Sequence, residues 1–269
     1  ARVFIREGHS RDLSFEDAFG GAWTWNRQIH LRSGSVVVPC HGEVHIEPSS
    51  RATAQSENLC YLRHMNIEES PVRVERRDGV GILTIDRERR LNALSRATLY
   101  ALGRLGAELV ADPSVRAIIL TGAGERAFCA GADLKERQGM SLDDVRVQVG
   151  LYRSELGVLD RSPKPVVAAI NGVALGGGLE LAMVCDLRVT VPTAKLGLPE
   201  TSLGIIPGAG GTQRLARLVG EGRATEMICL GRRLNAAEAL SWGLVNHVVP
   251  EGSDLIAETL AWMGPLAHG

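Results

Sequence analysis

From residue 72 onward the chain alternates between two patterns of apolar residues. Short runs of consecutive apolar residues predict buried strands, and apolar residues that recur every three to four positions predict helices. The predicted strands cover residues 72–76, 80–85, 116–121, 165–170, 186–191 and 244–249. The predicted helices cover residues 96–110, 142–160, 179–185 and 235–242, with further helical segments within 211–230. An alternation of this kind is typical of an α/β fold.

Turn and capping residues mark several boundaries between these segments. The dipeptide Asp78-Gly79 favours a tight hairpin between the first two strands. Ser95 is a good N-cap for the helix that follows it. Glycines at 176–178 separate an apolar run from helical spacing, so a helix is expected to begin at residue 179, with Glu180 in its first turn. Backbone N–H groups at that end of a helix have no partner within the helix and face outward.

Composition adds limits on size and on partners. The chain has 269 residues, of which 45% are hydrophobic, enough to bury a sizeable core. Its 30 basic and 31 acidic residues are mixed along the sequence, so its charge favours neither nucleic acid nor a membrane surface. The prediction is a globular protein that takes a small ligand, with no nucleic-acid and no membrane partner.

Cysteines and N-terminal acidic residues bear on the cellular compartment. Five cysteines lie at positions 40, 60, 129, 185 and 229 without a close-spaced framework, which indicates a reducing environment. No apolar stretch in the sequence is long enough to span a bilayer. Glu7, Asp12, Glu16 and Asp17 are unlike the acid-poor composition of a transit peptide. A cytoplasmic location is expected.

Residues 1–64 differ from the rest of the chain. They contain five of the seven histidines and two of the four tryptophans but no methionine, and their apolar periodicity is weak. Met65 is the first methionine and directly precedes the regular pattern, so residues 65–269 are predicted to form the folded domain. Residues 1–64 are interpreted as a leader that need not belong to that fold, either upstream sequence or the remnant of another protein.

The leader also contains candidate zinc ligands. Cys40, His41, His45, Cys60 and His64 include two pairs spaced four apart, a spacing that zinc ligands use. Pairs of the C-x-x-C type are absent, however. Incidental side chains are therefore the preferred interpretation, and no metal site is expected.

A second motif resembles a dinucleotide-binding turn. Residues 122–127 satisfy the G-x-G-x-x-G/A spacing. That motif needs a helix that begins in the turn, whereas residues 128–133 are predicted to continue as a loop. The acidic residues about 20 positions further on, Asp143 and Asp144, precede a helix rather than end a strand. A dinucleotide site is not expected here.

Four motifs carry a resemblance to a known family. They are LNAL at 91–94, AFCAGADLK at 127–135, NGVALGGGLE at 171–180, and LPE at 198–200 followed by IPGAGGTQRL at 206–215. With these motifs in the expected order, residues 67–250 resemble the crotonase, or enoyl-CoA hydratase/isomerase, superfamily. The resemblance implies a β-β-α spiral with two stacked sheets. It also implies assembly as a homotrimer or a dimer of trimers.

The resemblance implies roles for four residues. Two backbone N–H groups bind the thioester oxygen in this family, at positions that match Ala132 and Gly177; such donors stabilise negative charge that develops on the oxygen. The positions that match Glu180 and Glu200 activate water and transfer the proton at C2. Taken singly, Glu180 would be interpreted as a helix-capping charge and Glu200 as a solvated loop residue, but the surrounding motifs favour catalysis. Which glutamate holds the proton is left open.

Coenzyme A, as part of the substrate, is expected along residues 130–135. The predicted contacts are Ala130, Asp133, Leu134, Lys135 and Arg90. A basic side chain there would contact phosphate oxygens. Glu88 stands where family members often have proline, which places an acidic side chain near the expected phosphate path. No further cofactor is expected.

The end of the chain departs from the family pattern. Family members usually continue beyond the strand at 244–249 with several helices that cover the acyl pocket. This chain ends at Gly269. The C-terminal helical segment is therefore predicted to be largely missing, with one partial helix left and apolar surface exposed around residues 211–249.

The function implied by the resemblance is a lyase reaction of fatty acid metabolism. A 2-enoyl-CoA hydratase adds water syn across the C2=C3 bond and yields a 3-hydroxyacyl-CoA. The motifs look most like enoyl-CoA hydratases, including the branch that hydrates methylglutaconyl-CoA. RNA binding, found in part of that branch, is not expected because residues 98–108 carry little positive charge. An enoyl-CoA isomerase, which typically needs only the acid matching Glu200, and an inactive CoA-thioester-binding remnant are the alternatives.

Overall fold

The computed structural model describes residues 70–268 and, before them, short strands that form an antiparallel sheet of their own. These are β1 (Val3–Phe4), β2 (Gln28–Leu31), β3 (Gly34–Val37) and β4 (His45–Ile46), paired in that order. Contacts divide the chain into two units, Ala1–Asn66 and Ile67–Gly269. The side chains of the candidate zinc ligands lie outside the described residues, and the status of the leader stays a prediction.

A six-stranded sheet runs through the second unit. Its strands are β5 (Val72–Arg77), β6 (Val80–Ile85), β7 (Ala117–Gly122), β9 (Val166–Ile170), β11 (Leu187–Thr190) and β14 (His247–Val248). They lie in the order β14-β11-β9-β7-β6-β5, and all neighbours are parallel except β5 and β6. The predicted hairpin is confirmed, because Asp78 and Gly79 have φ angles of 51° and 79°, as a type I′ turn requires.

A second sheet consists of three-residue strands. They are β8 (Ala127–Cys129), β10 (Val173–Leu175), β12 (Lys195–Gly197) and β13 (Arg233–Asn235), in the order β13-β12-β10-β8. The loop predicted over 128–133 is therefore wrong at its start, since β8 pairs with β10. Strands this short carry too few residues to show a period in the sequence.

The chain alternates between the two sheets as it advances. Strands β7, β9 and β11 of the larger sheet are followed by β8, β10 and β12 of the smaller one, and helical segments follow each of these. This repeat of strand, strand and helix confirms the predicted β-β-α spiral and the α/β class.

Helices connect the strands and end the chain. Among residues 70–268 they are α1 (Arg96–Ala111), α2 (Leu134–Arg137), α3 (Leu142–Glu155), α4 (Gly157–Asp160), α5 (Gly177–Val184), α6 (Gly211–Val219), α7 (Glu221–Cys229), α8 (Ala236–Ser241), α9 (Leu255–Trp262) and α10 (Gly264–His268). Two 3-10 helices, Glu88–Arg90 and Glu200–Leu203, lie in loops. No helix in this part of the chain is long and apolar enough to cross a membrane.

Several predicted helix boundaries hold and others shift. The side chain of Ser95 accepts a hydrogen bond from the Thr98 N–H at 3.2 Å, which confirms it as the N-cap of α1. The predicted helix over 142–160 is divided into α3 and α4. Gly220, with φ 84°, separates α6 from α7. The helix predicted to begin at residue 179 begins at Gly177, because the chain already turns at Gly176.

The core of the second unit covers the larger sheet on both faces. All five residues of β9 are buried, and so are all six residues of β7, which explains why their apolar runs are unbroken. Leu255 and Met263, near the two ends of α9, pack against one face of this sheet. The single partial helix predicted after residue 250 is thus corrected to two helices, α9 and α10. The strand predicted over 244–249 is reduced to His247–Val248.

Candidate active site

Residues 171–180 lead the chain from β10 into α5. Gly176, at the junction, has φ 52° and ψ −126°, a conformation that glycine adopts and residues with a Cβ avoid. At Gly178 a Cβ would clash with the carbonyl oxygen of Cys129 on β8. These two glycines therefore let the N-terminus of α5 lie directly against the smaller sheet. Glu180 lies in the first turn of α5, as predicted.

Glu180 is held by backbone N–H groups of another segment. The residue is only 3% exposed. Its Oε1 accepts hydrogen bonds from the N–H groups of Ala209 at 2.7 Å and of Gly211 at 2.8 Å. Burial raises the pKa of Glu180, whereas the two N–H groups and the charge of Arg214 favour its ionised form. The carboxylate is thus fixed in position, with its other oxygen free of these bonds.

Glu200 reaches the same region from the 3-10 helix that follows β12. It is 9% exposed, so the interpretation of Glu200 as a solvated loop residue is wrong. A Cβ at Gly176 would lie 3.1 Å from Oε1 of Glu200, which places this carboxyl group at the start of α5. Oε2 is buried and has no hydrogen-bond partner among the described residues. Burial raises the pKa of Glu200 to about 7, and the nearby charge of Glu180 acts in the same direction.

Two backbone N–H groups lie beside the glutamates. The chain around Ala132 is fixed because the Leu94 N–H donates to the Gly131 carbonyl at 2.8 Å and the Asp133 N–H donates to the Leu94 carbonyl at 3.0 Å. A Cβ at Gly177 would lie 3.6 Å from the Ala132 nitrogen, so the two residues adjoin. Neither N–H donates to another group within residues 70–268. An oxygen atom between them could accept both hydrogen bonds.

A cavity of 530 Å³ brings these groups together. Its lining includes Ala132, Gly177, Glu180 and Glu200, the four residues for which the family resemblance implies catalytic roles. Apolar side chains form much of the remaining wall: Leu134, Val149, Leu175, Leu203, Ile205 and Ile206. Two acids and two N–H donors in an apolar cavity can move a proton and stabilise a developing oxyanion.

The structure places two of the five predicted CoA contacts in the lining of the cavity. Ala130 and Leu134 line the cavity, whereas Lys135 and Arg90 are exposed and lie outside its lining. The carboxylate of Asp133 has partners within the protein. It accepts hydrogen bonds from the N–H groups of Lys135 and Glu136 at the start of α2, and it pairs with Arg87 at 2.8 Å. The contacts of these five positions with CoA stay predictions.

The sequence missed several groups around the cavity. The N–H groups of Ala209 and Gly211 that hold Glu180 belong to the quoted IPGAGG motif, and a glycine-rich turn before a helix was a signal for such donors. Tyr152 and Arg137 also line the cavity. Their neighbours come from other segments, so no local pattern marked them.

Comparison with known proteins points to one family. The family model described as enoyl-CoA hydratase/isomerase matches residues 75–269. The short-chain-enoyl-CoA hydratase of Clostridium acetobutylicum is 46% identical over 190 residues, which cover 71% of this chain and 72% of that protein. The mitochondrial methylglutaconyl-CoA hydratase of Mus musculus is 40% identical over 228 residues, which cover 83% of this chain and 72% of that protein.

A solved structure has the same fold. The crystal structure of an enoyl-CoA hydratase from Bacillus anthracis is 47% identical, with a TM-score of 0.72. The match covers 74% of this chain and 77% of that one. The chain therefore belongs to the enoyl-CoA hydratase/isomerase family.

Proposed function

We propose that this chain is a 2-enoyl-CoA hydratase, which adds water syn across the C2=C3 bond of an enoyl-CoA thioester and yields a 3-hydroxyacyl-CoA. The observation that supports this most is that two buried glutamates and two N–H donors line one apolar cavity. Membership of the family supports an acyl-CoA thioester as the class of substrate.

The thioester oxygen would lie between the N–H groups of Ala132 and Gly177. When water attacks C3, electrons shift toward this oxygen and give it enolate character. Two fixed donors stabilise that charge without reorganisation, and the donor at Gly177 adds the positive end of the α5 dipole. This part of the site would set the position of the C2=C3 bond relative to the acids.

The two glutamates would divide the proton transfers. Glu180, whose ionised form is favoured by two N–H groups, takes a proton from water as the water oxygen forms its bond to C3. Glu200, with its raised pKa of about 7, gives its proton to C2. The proton gained by Glu180 then returns to Glu200 through solvent, which restores both groups. The reaction transfers no electrons, and CoA takes part only as the carrier of the acyl group.

The test is hydration of crotonyl-CoA by the full chain, followed as loss of enoyl-thioester absorbance. Wild type should hydrate the substrate, and Glu180→Gln and Glu200→Gln should each lose activity while circular dichroism shows that they remain folded. A folded wild type that binds CoA thioesters without hydrating them would refute the proposal. Migration of the double bond without hydration, retained in Glu180→Gln, would instead identify an isomerase.

A further inference from the structure

One arginine outside the cavity contacts both segments of the parallel bridge between Leu94 and Ala132. Arg87 lies in the loop between β6 and α1 and does not line the cavity. Its Nη1 donates to the Ala93 carbonyl at 2.5 Å, and its Nη2 pairs with the Asp133 carboxylate at 2.8 Å. These partners are the residue before Leu94 and the residue after Ala132. A single guanidinium group therefore joins the two segments where they meet.

The backbone of Arg87 is anchored as well. Its N–H donates to Oδ1 of Asn92 at 3.0 Å, and the Asn92 N–H donates back to the Arg87 carbonyl at 3.0 Å. Asn92 is fully buried, and its Nδ2 donates to the carbonyls of Ala123 at 3.0 Å and of Ala127 at 2.7 Å. The guanidinium group thus reaches the bridge from a backbone that is tied to the segment between β7 and β8.

The ion pair between Arg87 and Asp133 is shielded from solvent and balanced in charge. The two side chains are 21% and 9% exposed. Burial acts to raise the pKa of Asp133, but hydrogen bonds from Arg87 and from the N–H groups of Glu136 and Lys135 lower it. One oxygen of Asp133 accepts from the guanidinium group and the other from the start of α2. Removing either partner would leave the other charge unpaired, so the structure around it would have to readjust.

Ala132 lies between two neighbours that are both held in place. The Gly131 carbonyl accepts the Leu94 N–H at 2.8 Å, and the Asp133 N–H donates to the Leu94 carbonyl at 3.0 Å. A Cβ at Gly177 would lie 3.6 Å from the Ala132 nitrogen, so a shift on this side alone changes the spacing of the two donors. A misplacement of about 1 Å in a catalytic arrangement can cost about 100-fold in rate.

We propose that Arg87 is a positioning residue for the oxyanion donor at Ala132. It holds the Ala93 carbonyl and the Asp133 carboxylate together and so keeps this donor aligned with the N–H of Gly177. The inference rests on the proposed function, which makes both N–H groups donors to the thioester oxygen. Because such donors act mainly on charge that develops in the transition state, loss of Arg87 should lower kcat and leave KM near its wild-type value.

The first experiment measures hydration of crotonyl-CoA by variants of the full chain. Arg87→Met removes both contacts and should lower kcat by about 100-fold with little change in KM. Arg87→Lys keeps the charge but not the paired donors, so it should lose less. Asp133→Asn keeps an oxygen that can cap α2 but removes the charge, and it should resemble Arg87→Met. The double variant should be no slower than either, because both changes break one contact.

Arg96 provides a matched control. Its side chain is 33% exposed and pairs with Asp144 at 3.1 Å, which joins α1 to α3 rather than the two segments of the bridge. Arg96→Met therefore removes an arginine–aspartate pair without freeing Ala132, and its kcat should stay close to that of wild type. An equal fall in kcat for Arg96→Met and Arg87→Met would trace the effect to general loss of stability and refute the positioning role.

A second measurement needs no turnover. Butyryl-CoA with an isotope label at the thioester carbonyl is bound to each folded variant, and the infrared band of that carbonyl is recorded. Two donors should lower its frequency in wild type and in Arg96→Met. In Arg87→Met the shift should be about half as large, because one aligned donor remains. Asp133→Asn gives the same test if Arg87→Met does not fold.

The infrared result separates the two proposals. A full shift in Arg87→Met or Asp133→Asn would refute the positioning role and leave the proposed function standing. A wild type that shows the shift without hydrating crotonyl-CoA would overturn the proposed function alone. If bound butyryl-CoA shows no shift in wild type, the two N–H groups are not donors to the thioester, and both proposals fail.

Discussion

Glu180 and Glu200 have the same side chain but different surroundings. Oε1 of Glu180 accepts hydrogen bonds from two backbone N–H groups, one in the loop before α6 and one at the first residue of α6, whereas Oε2 of Glu200 is buried without a partner among the described residues. Hydrogen bonds to a carboxylate favour its ionised form, and burial without them favours the protonated form. Burial raises the pKa of both glutamates, and at Glu180 two N–H groups of another segment act against that rise. The comparison teaches that the groups around a side chain tune its acidity even where the side chain is the same.

Removing either acid, or both, should have the largest effect. We expect Glu180→Gln, Glu200→Gln and the double variant each to lower kcat for crotonyl-CoA hydration by about 10³-fold, because two groups that act in one step lose their joint effect when either is removed. Steady-state rates of the three folded variants provide the measurement. Losses that multiply in the double variant would show that the glutamates act independently.

A change that displaces Glu180 without removing it should lower kcat less. A Cβ at Gly211 would lie 2.9 Å from Oε1 of Glu180 and 3.0 Å from the Cβ of Pro207, so Gly211→Ala must displace the carboxylate. We expect kcat to fall by about 100-fold. In the same loop, a Cβ at Gly208 would meet no atom within 4 Å, so Gly208→Ala is the matched control and should cost much less. An equal fall in both variants would trace the effect to the loop as a whole.

The surroundings of Glu200 should make the stability of the protein depend on pH. Its pKa is raised from 4.5 to about 7, so folding favours the protonated form. The corresponding contribution to the free energy of unfolding is present below pH 4.5 and is lost as the pH rises through about 7. The free energy of unfolding of Glu200→Gln minus that of wild type should therefore be about 2 kcal/mol larger at pH 8 than at pH 4.5.

Urea unfolding at the two pH values measures this difference. Glu180→Gln is the comparison, since two N–H groups stabilise the carboxylate there and its replacement should bring less stabilisation at pH 8. A stability difference between Glu200→Gln and wild type that is independent of pH would contradict the raised pKa of Glu200.

The smallest effect is expected from the charge beside Glu180. Arg214 favours the ionised form of Glu180, but it also forms an ion pair with Asp160 at 2.8 Å. Arg214→Gln should raise the pKa of Glu180 further, so the low-pH limb of the hydration rate should move to higher pH. The high-pH limb, assigned to ionisation of Glu200, should stay in place. A pH profile of kcat/KM tests this, and movement of the high-pH limb alone would link Arg214 to Glu200 instead.

The sequence predicted the larger sheet better than the smaller one. Strand β9 is a continuous apolar run because both faces of its sheet are covered, and Ser95 caps α1 through a local hydrogen bond. Strands β8, β10 and β12 have three residues each, too few for a period. Their pairing depends on contacts between distant segments, which no local pattern reports.

The sequence likewise predicted some features of the site and missed others. The family resemblance that the motifs carry pointed to both glutamates and to both N–H groups. They did not show that Glu200 would be buried without a partner, because its surroundings come from Gly176 and the start of α5. Nor did they reveal that Arg137 and Tyr152 line the cavity, because this depends on how separate segments pack.

The short pairing between Leu94 and the chain around Ala132 has a practical consequence. One of the two proposed oxyanion donors is fixed by this isolated bridge and the other by the start of α5, so their spacing depends on how two separate segments pack. A small shift between these two segments would misplace the donors before any helix or strand is lost. Gentle heating or dilute urea should therefore inactivate the protein while its circular dichroism is still native, and turnover becomes an early indicator of damage during purification and storage.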